Sequence, residues 1–286
     1  MRGNVTSLPG GLRFAGRAAR HMAGPARKGP PVRYLFSRLV KLIAGLAKVL
    51  CLIHLRLFPD ARFTIPAYAP PLIRPKTAGS IPKRVYQISY GHRVSCGIYL
   101  NWLFNRLMAA DHEFHLHIDK GTARTWINDT FPGEIAETFN KLQIGAAQAD
   151  YWRILVLLKN GGIYIDTDAN FVWPPSWSIR PEDEELFIRM RDGEITNYFM
   201  AAAPGNRFIA GIEQTIRHNI HAGELDNIYL MTGPGAMVPA LEQGGYHSEN
   251  FRIIAHHGQF TNERLQYPDR EHKKWWREQE DKSILR

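Results

Sequence analysis

Two aspartates, Asp166 and Asp168, stand one residue apart directly after the short apolar run Gly162–Ile165. The composition of that run and its flanking residues predict a strand. Carboxylates at the end of a strand suit a hard divalent cation such as Mg²⁺ or Mn²⁺, which takes oxygen ligands and is often shared with substrate phosphates. The pair therefore predicts a metal site for a phosphate-bearing substrate, although an isolated Asp-x-Asp is more often a solvated turn.

The preceding residues predict how this pair is positioned. Residues 147–159 have helical spacing that places Asp150 and Arg153 on one face, and Gly161 and Gly162 end the helix because glycine accepts the left-handed conformation of a cap. The helix rises ~10 Å from Arg153 to its end, and the strand returns ~10 Å. Three carboxylates and a guanidinium should therefore meet at one sheet edge. Taken alone, Asp150 and Arg153 are equally compatible with an ordinary surface ion pair.

Together, the helix residues, the glycine pair and the two aspartates form a motif that is more specific for a protein family than any of them alone. The chain resembles the DXD-containing glycosyltransferases of family 32 in the runs Ala149-Asp150-x-x-Arg153 and Gly161-Gly162-x-Tyr164-x-Asp166-x-Asp168. That family includes mannosyltransferases and bacterial capsular sugar transferases and is related to the clostridial glucosylating toxins. The likeness extends over residues 81–257, because residues 81–88, 197–204 and 232–235 resemble the family's first strand and later motifs.

The resemblance implies a GT-A fold, which is an α/β nucleotide-sugar-binding fold with a mixed central sheet flanked by helices. It also implies a UDP- or GDP-sugar donor, a glycan or glycolipid acceptor, and transfer with retention of anomeric configuration. By motif position, Asp166 and Asp168 would bind Mn²⁺ or Mg²⁺ at the donor diphosphate. Asp150 and Arg153 would contact the donor sugar and diphosphate, and these four residues form the expected catalytic set.

Further candidates for donor and metal binding follow from the same resemblance. Gln87 lies in the expected first strand. Where family members often carry a tryptophan, this chain has serine followed by Tyr90, which we expect to be the platform for the base. Gly233 belongs either to a substrate loop or to a simple turn before a helix. His257 or His256 is expected to be a metal or diphosphate ligand, with an ordinary surface loop as the alternative.

The remainder of the chain alternates between strand-like and helix-like segments, which predicts an α/β sheet. Strands are expected at residues 84–90, 113–118, 162–165, 186–190, 198–203 and 252–255. Helices are expected at residues 95–110, 122–140 (one or two, divided by Pro132-Gly133), 147–159, 207–221 and 235–241.

Positive charge is concentrated at the start of the chain. Residues 1–59 contain 11 Lys and Arg and no acid, whereas the rest holds 25 basic and 27 acidic residues and is nearly neutral. A net positive charge on residues 60–286 would have indicated binding to nucleic acid. A basic N-terminal segment next to an apolar stretch instead indicates binding to anionic lipid. We therefore expect a membrane surface, and no nucleic acid, as a partner.

Four segments are expected: a basic disordered leader at 1–32, an amphipathic helix at 33–58, a Pro-rich linker at 59–80 and the catalytic domain at 81–286. The helix has a polar stripe within an arc of about 100°, consisting of Ser37, Arg38, Lys41, Gly45, Lys48 and Arg56. This predicts a helix in a membrane interface with its lysines toward the headgroups. A helix packed on the body with a narrow exposed stripe, and a spanning helix, are the alternatives.

The compartment is a further expectation. The charges that interrupt the apolar run and the presence of only two cysteines favour the cytoplasmic face of a bacterial inner membrane. The alternative is a type II membrane protein of the Golgi lumen.

Two other functions are compatible with parts of the pattern. An aspartyl phosphatase also places Asp-x-Asp after a strand and uses the first Asp as nucleophile. Its motif, however, follows the first strand of the fold, whereas here it lies in the middle of the chain. A non-catalytic, membrane-associated scaffold of the same fold is the other alternative, and the intact set of Asp150, Arg153, Asp166 and Asp168 argues against it.

Overall fold

The structure is a computed structural model that describes residues 31–75, 78–118, 121–266 and 282–286. Its helices are α1 Pro31–Leu57, α2 Cys96–Met108, α3 Thr122–Thr130, α4 Glu134–Lys141, α5 Gly145–Asn160, α6 Pro175–Ser178, α7 Arg207–Ala222, α8 Ile228–Met231, α9 Pro234–Leu241, α10 Phe251–Ile254 and α11 Glu263–Gln266. Its strands are β1 Phe63–Thr64, β2 Tyr68–Ala69, β3 Arg84–Ser89, β4 Arg93–Val94, β5 Glu113–Ile118, β6 Gly162–Ile165, β7 Ala169–Phe171, β8 Glu185–Arg189, β9 Ile195–Ala202, β10 Ser248–Asn250 and β11 Ala255–His257. The expected leader lies outside the described residues, except for its last two, which begin α1.

Seven strands form a mixed central sheet in the order β10-β8-β9-β6-β3-β5-β2. Strands β6, β3 and β5 are mutually parallel, whereas β9 runs antiparallel to both of its neighbours and β2 runs antiparallel to β5. Two apolar clusters pack between the sheet and its helices, one on each face. The expected α/β class, with a mixed central sheet flanked by helices, is confirmed.

The sharp reversal between α5 and β6 depends on two glycines. Gly161 and Gly162 have φ of 62° and 110°, which L-residues with a side chain rarely adopt. A Cβ on Gly161 would lie 2.5 Å from Cδ of Pro204, and one on Gly162 would lie 2.7 Å from the carbonyl oxygen of Arg84. The two glycines that were predicted to end the helix are therefore also packed closely against neighbouring backbone. This packing fixes the position of β6, the strand that leads to Asp166.

The strand predicted at 252–255 is wrong. These residues mostly form the one-turn helix α10, because the Asn250 side chain caps it by accepting a hydrogen bond from the backbone N–H of Arg252 at 3.0 Å. The strand that follows, β11, pairs antiparallel with β7 in a separate two-stranded sheet. In this pairing His257 lies opposite Ala169, so the local sheet brings His257 to the end of the acidic turn.

Residues 59–80, expected to be a linker, contribute strands to the domain instead. Strand β1 pairs with β4, and β2 forms the edge of the central sheet beside β5. Ile65, between them, is fully buried, and its N–H donates to the carbonyl of His92 at 2.9 Å. This proline-rich segment therefore packs on the domain through backbone pairing and the buried side chains of Ile65 and Ala69.

Helix α1 packs on the body through small and apolar residues together with one edge of its polar stripe. Ser37 is buried with Val40, Ala44 and Cys51, and the Lys48 ammonium donates to the carbonyl of Gly258 at 3.0 Å. The helix is therefore packed on the body, but its polar stripe faces inward at Ser37 and Lys48, and the stripe predicted to be exposed is partly covered. Within the described ranges, no helix is both long enough and apolar enough to cross a membrane.

On the opposite side of the molecule, His117 of β5 is enclosed by aromatic rings. Its imidazole centroid lies 4.9 Å from that of Trp152 and 6.3 Å from that of Trp126. Burial, with a smaller contribution from His115, lowers the pKa of His117 to about 4. The folded protein therefore holds this imidazole neutral, whereas the unfolded chain binds a proton near pH 6.5.

Acidification should therefore destabilise the fold through His117. A lowered histidine pKa contributes stability above pH 6.5 that is lost as the pH falls toward 4, and the difference amounts to about 1–3 kcal/mol. Replacing His117 with phenylalanine should remove this part of the pH dependence, as measured by urea unfolding at pH 4.5 and 7.5. His218→Phe makes the same change at an exposed helix position and should keep the wild-type pH dependence. Equal pH dependence in both variants would contradict this assignment.

Candidate active site

The guanidinium of Arg153 lies at the centre of the predicted acidic cluster. Its Nη2 is 3.0 Å from Oδ1 of Asp150, and its Nη1 is 3.4 Å from Oδ1 of Asp166. Nη1 also donates to the carbonyl of Asn197 at 2.7 Å, and Nε donates to the carbonyl of Ala149 at 3.3 Å. The convergence predicted from the helix and strand lengths is therefore present, and all three nitrogens of Arg153 face protein acceptors.

Asp150 is a buried carboxylate held by three elements. Its Oδ1 accepts from Nδ2 of Asn197 at 2.9 Å in addition to Arg153, and its Oδ2 accepts from the hydroxyl of Thr232 at 3.3 Å. Burial raises the pKa of Asp150 to about 6, although Arg153 and these hydrogen bonds favour the ionised form. A group with this pKa is ionised for the most part at neutral pH.

The turn between β6 and β7 brings Asp166 and Asp168 together with His257. One ligand atom from each of the three lies within 4.8 Å of the others, and Nε2 of His257 is 3.1 Å from Oδ2 of Asp168. The His257 side chain is 50% exposed, whereas Asp168 is buried. The cluster therefore opens to solvent on the His257 side, where a substrate can enter.

The charges of this cluster are incompletely balanced. Burial, and to a lesser degree the neighbouring Asp168, raise the pKa of Asp166, whereas Arg153 opposes the shift. Burial disfavours the charged form of His257, but its hydrogen bond and charge interaction with Asp168 raise its pKa to about 9. Two close carboxylates and one imidazole form a donor set that suits a divalent cation such as Mn²⁺, because carboxylates are preferred ligands of Mg²⁺ and Mn²⁺ and imidazole binds first-row metals. The residues present therefore fit the metal that the sequence predicts.

Side chains that do not face the cluster hold the acidic turn in place. Asn101 of α2 donates to the carbonyls of Thr167 and Ala169, both at 2.8 Å. Asn105, one helical turn later, donates to the same Ala169 carbonyl and accepts from the N–H of Phe171. These buried amides fix the backbone on both sides of Asp168, which limits how far the carboxylate can move.

The remaining predicted site residues lie around this cluster. The register of β3 with β6 puts the carboxyl end of β3 at the same sheet edge as Asp166, and Tyr90, which follows that end, is partly exposed there. Gln87 is buried, and its amide nitrogen has no hydrogen-bond partner among the described residues. Gly233 directly precedes α9, and a Cβ there would lie 3.0 Å from Cα of Tyr229, so this turn needs a small residue. His256 is buried, with Nε2 2.9 Å from Oγ of Ser37, and points away from the metal candidates.

Several residues of the site were not singled out by the sequence. Asn197 and Thr232 lie at the start of two segments that resemble later family motifs, so those motifs were the available signal. The hydroxyl of Tyr164 donates to Asp166 at 2.6 Å, and its ring lies 4.5 Å from the Arg153 guanidinium. Gln266 donates to Asp168 at 2.9 Å, and nothing in its sequence surroundings marks it.

Part of this site lies in a region that matches a known protein family. Residues 103–186 match the family described as "Glycosyltransferase sugar-binding region containing DXD motif". This stretch contains Asp150, Arg153, Asp166 and Asp168, whereas Asn197, Thr232 and His257 lie beyond it. Comparison with curated proteins found no match.

Among solved structures, the chain is similar to "PaToxG Glycosyltransferase". The match covers 57% of this chain and 69% of that one, with 20% sequence identity and a TM-score of 0.45. The match to the DXD region and the geometry of Asp150, Arg153 and Asp166 within it favour a glycosyltransferase family.

Proposed function

We propose that this protein is a metal-dependent, retaining glycosyltransferase of the family 32 type. It would transfer a sugar from a UDP- or GDP-sugar to a glycan or glycolipid acceptor. The observation that carries the proposal is the convergence of Asp150, Arg153, Asp166, Asp168 and His257 at one sheet edge. The first four of these lie inside the region that matches the sugar-binding region of glycosyltransferases.

Asp150 is suited to bind a hydroxyl of the donor sugar. A carboxylate has about four acceptor positions, and Asp150 uses three of them, for Asn197, Arg153 and Thr232. The remaining position lies on Oδ2, where the present contact is the long one to Thr232 at 3.3 Å. A sugar hydroxyl donating there would be oriented by a carboxylate that protein hydrogen bonds already hold in place.

Arg153 acts mainly by organising the carboxylates. Burial opposes its charge, but the surrounding acidic groups raise its pKa further, so it stays cationic. Because each of its nitrogens faces a protein acceptor, it fixes Asp150 and Asp166 relative to each other. Its positive charge also lowers the cost of bringing a negatively charged diphosphate next to two aspartates.

Asp166, Asp168 and His257 are the residues that would hold the metal. A bound divalent cation would supply a Lewis acid that stabilises the charge developing on the diphosphate leaving group. Tyr164 fixes Asp166 through its hydroxyl, and Gln266 fixes Asp168 through its amide. These contacts keep the two carboxylates oriented before substrate binds.

The proposal is tested by thermal unfolding of the full chain with UDP-, GDP- and CMP-sugars, each with Mn²⁺ and with EDTA. One nucleotide class with Mn²⁺ should raise the midpoint by about 5–10 °C at a concentration 100 times its Kd. The product formed from that donor should keep its anomeric configuration, as read by NMR. A folded sample that shows no shift with any donor, or shifts equally in EDTA, would contradict a metal-dependent transferase.

A further inference from the structure

Helix α1 presents an apolar face to the outside of the molecule. Ten large apolar side chains between Val32 and Leu57 are between 43% and 72% exposed. At ~100° per residue they fall within an arc of about 120°, centred on Leu46 and Ile53. Over 27 residues this stripe is ~40 Å long, and continuous apolar patches of such size mark interaction sites.

Polar contacts on the opposite side of α1 fix the direction in which its apolar face points. Ser37 and Lys48 are bonded to His256 and Gly258, and the thiol of Cys51 lies 3.2 Å from that of Cys96. These contacts are on the side opposite the apolar stripe. The helix therefore cannot turn its leucines toward the body without breaking these polar contacts. Within the described residues, no other part of the protein covers the stripe.

Basic charge runs along one edge of the stripe. Arg38 and Arg56 are both exposed and, eighteen residues apart, occupy the same angular position at its border. Lys41 lies between this border and the body. The first acidic residue of the chain is Asp60, so a second copy packed on this face would bring two basic edges together with no acidic partner in the segment.

An exposed tryptophan lies beside the N-terminal end of the helix. Trp177 is 67% exposed, its carbonyl accepts from Arg33 at 3.0 Å, and its ring contacts Trp173. Trp173 in turn packs edge-on against Phe36 of α1. Tryptophan favours the boundary between lipid and water, because its ring is apolar and its N–H can remain hydrated.

We propose that α1 lies in the plane of an anionic bilayer, with its leucine face in the acyl region and the basic edge at the phosphate level. A helix in this position buries its apolar face roughly 5–10 Å below the headgroups. Arg38, Lys41 and Arg56 add attraction to anionic lipid, about 1 kcal/mol for each basic residue near the surface. The bilayer thus accounts for both the apolar stripe and its one-sided basic border.

The test is flotation of the full chain with vesicles of phosphatidylcholine alone and with vesicles that also contain phosphatidylglycerol. The protein should bind the anionic vesicles, bind the neutral ones more weakly, and lose this preference at high salt. Leu46→Gln/Ile53→Gln should lower the partition coefficient by about 10²-fold or more. Leu72→Gln/Ile73→Gln changes two residues of similar exposure outside α1 and should leave the partition unchanged.

Three results would overturn the proposal. The wild-type protein could fail to float with either vesicle, or both double variants could lower binding equally. The protein could also be a dimer that Leu46→Gln/Ile53→Gln dissociates in analytical ultracentrifugation, which would make this face a contact between two copies. Equal binding to neutral and anionic vesicles would overturn the role assigned to the basic edge. Circular dichroism of both variants establishes that they are folded.

Discussion

Replacing Asp168 with asparagine should lower sugar-transfer turnover by about 10³-fold, while the protein stays folded. Asparagine keeps the shape of the side chain but removes the charge that a metal requires, and metal stabilisation of a leaving group amounts to several kcal/mol. The carboxylate is buried beside His257 and Gln266, and the neighbouring Asp166 is held in its own position by Tyr164 and Arg153. Turnover with the donor identified by thermal unfolding, and Mn²⁺ affinity by electron paramagnetic resonance, measure the two effects.

Asp129→Asn is the matched control for this variant, because Asp129 is exposed on α3. It should keep wild-type turnover and Mn²⁺ binding. Retention of full activity by a folded Asp168→Asn protein would remove Asp168 from the metal site. Loss of activity with unchanged Mn²⁺ affinity would instead assign Asp168 to substrate contact.

Replacing Arg153 with lysine should lower turnover by about 10²-fold and weaken donor binding. A lysine keeps the positive charge, but its single ammonium cannot contact Asp150, Asp166 and the carbonyl of Asn197 in the geometry that Arg153 holds. The two aspartates would lose their fixed spacing, and misplaced groups reduce rates by about this factor. Steady-state kinetics at saturating and limiting donor separate the effects on turnover and affinity.

Stability provides an independent readout at the same position. Arg153→Met leaves Asp150 and Asp166 without their cation, and breaking a buried ion pair in this way costs about 3–5 kcal/mol. Arg153→Lys should cost clearly less. The exposed Arg93 on β4 provides Arg93→Lys as a control that should change neither rate nor stability. Equal unfolding free energies for the lysine and methionine variants would contradict the role given to the charge of Arg153.

The sequence was sufficient to predict the centre of this site because the interactions there are local. The four residues of the centre lie within a segment of nineteen residues, Asp150, Arg153, Asp166 and Asp168. The lengths of one helix and one strand, joined by a glycine turn, determine where their side chains converge. The start of α2 was likewise predicted, at residue 95, where the Ser95 hydroxyl caps the helix by accepting from the N–H of Ile98.

The remaining features depend on distant parts of the chain. His257 was predicted from the family resemblance and not from a local pattern. It reaches Asp168 because β11 pairs with β7, and a three-residue strand after a one-turn helix leaves too short a pattern to predict that pairing. Thr232 reaches Asp150 across 82 residues. The alternative in which α1 packs on the body with its polar stripe exposed was wrong about that stripe, because periodicity identifies two faces of a helix but not which one the body covers. Hydrogen bonds from Ser37 and Lys48 to the body decide the orientation here.

Helix α1 also supports the strand that carries His257. His257 lies between two residues that are hydrogen-bonded to α1. His256 contacts Ser37, and the carbonyl of Gly258 accepts from Lys48. A shortened protein that begins at residue 60 would therefore lose two supports of a candidate metal ligand along with its apolar surface. For a soluble enzyme that keeps its affinity for metal, we expect polar substitutions on the outward leucines to succeed where deletion of the helix fails.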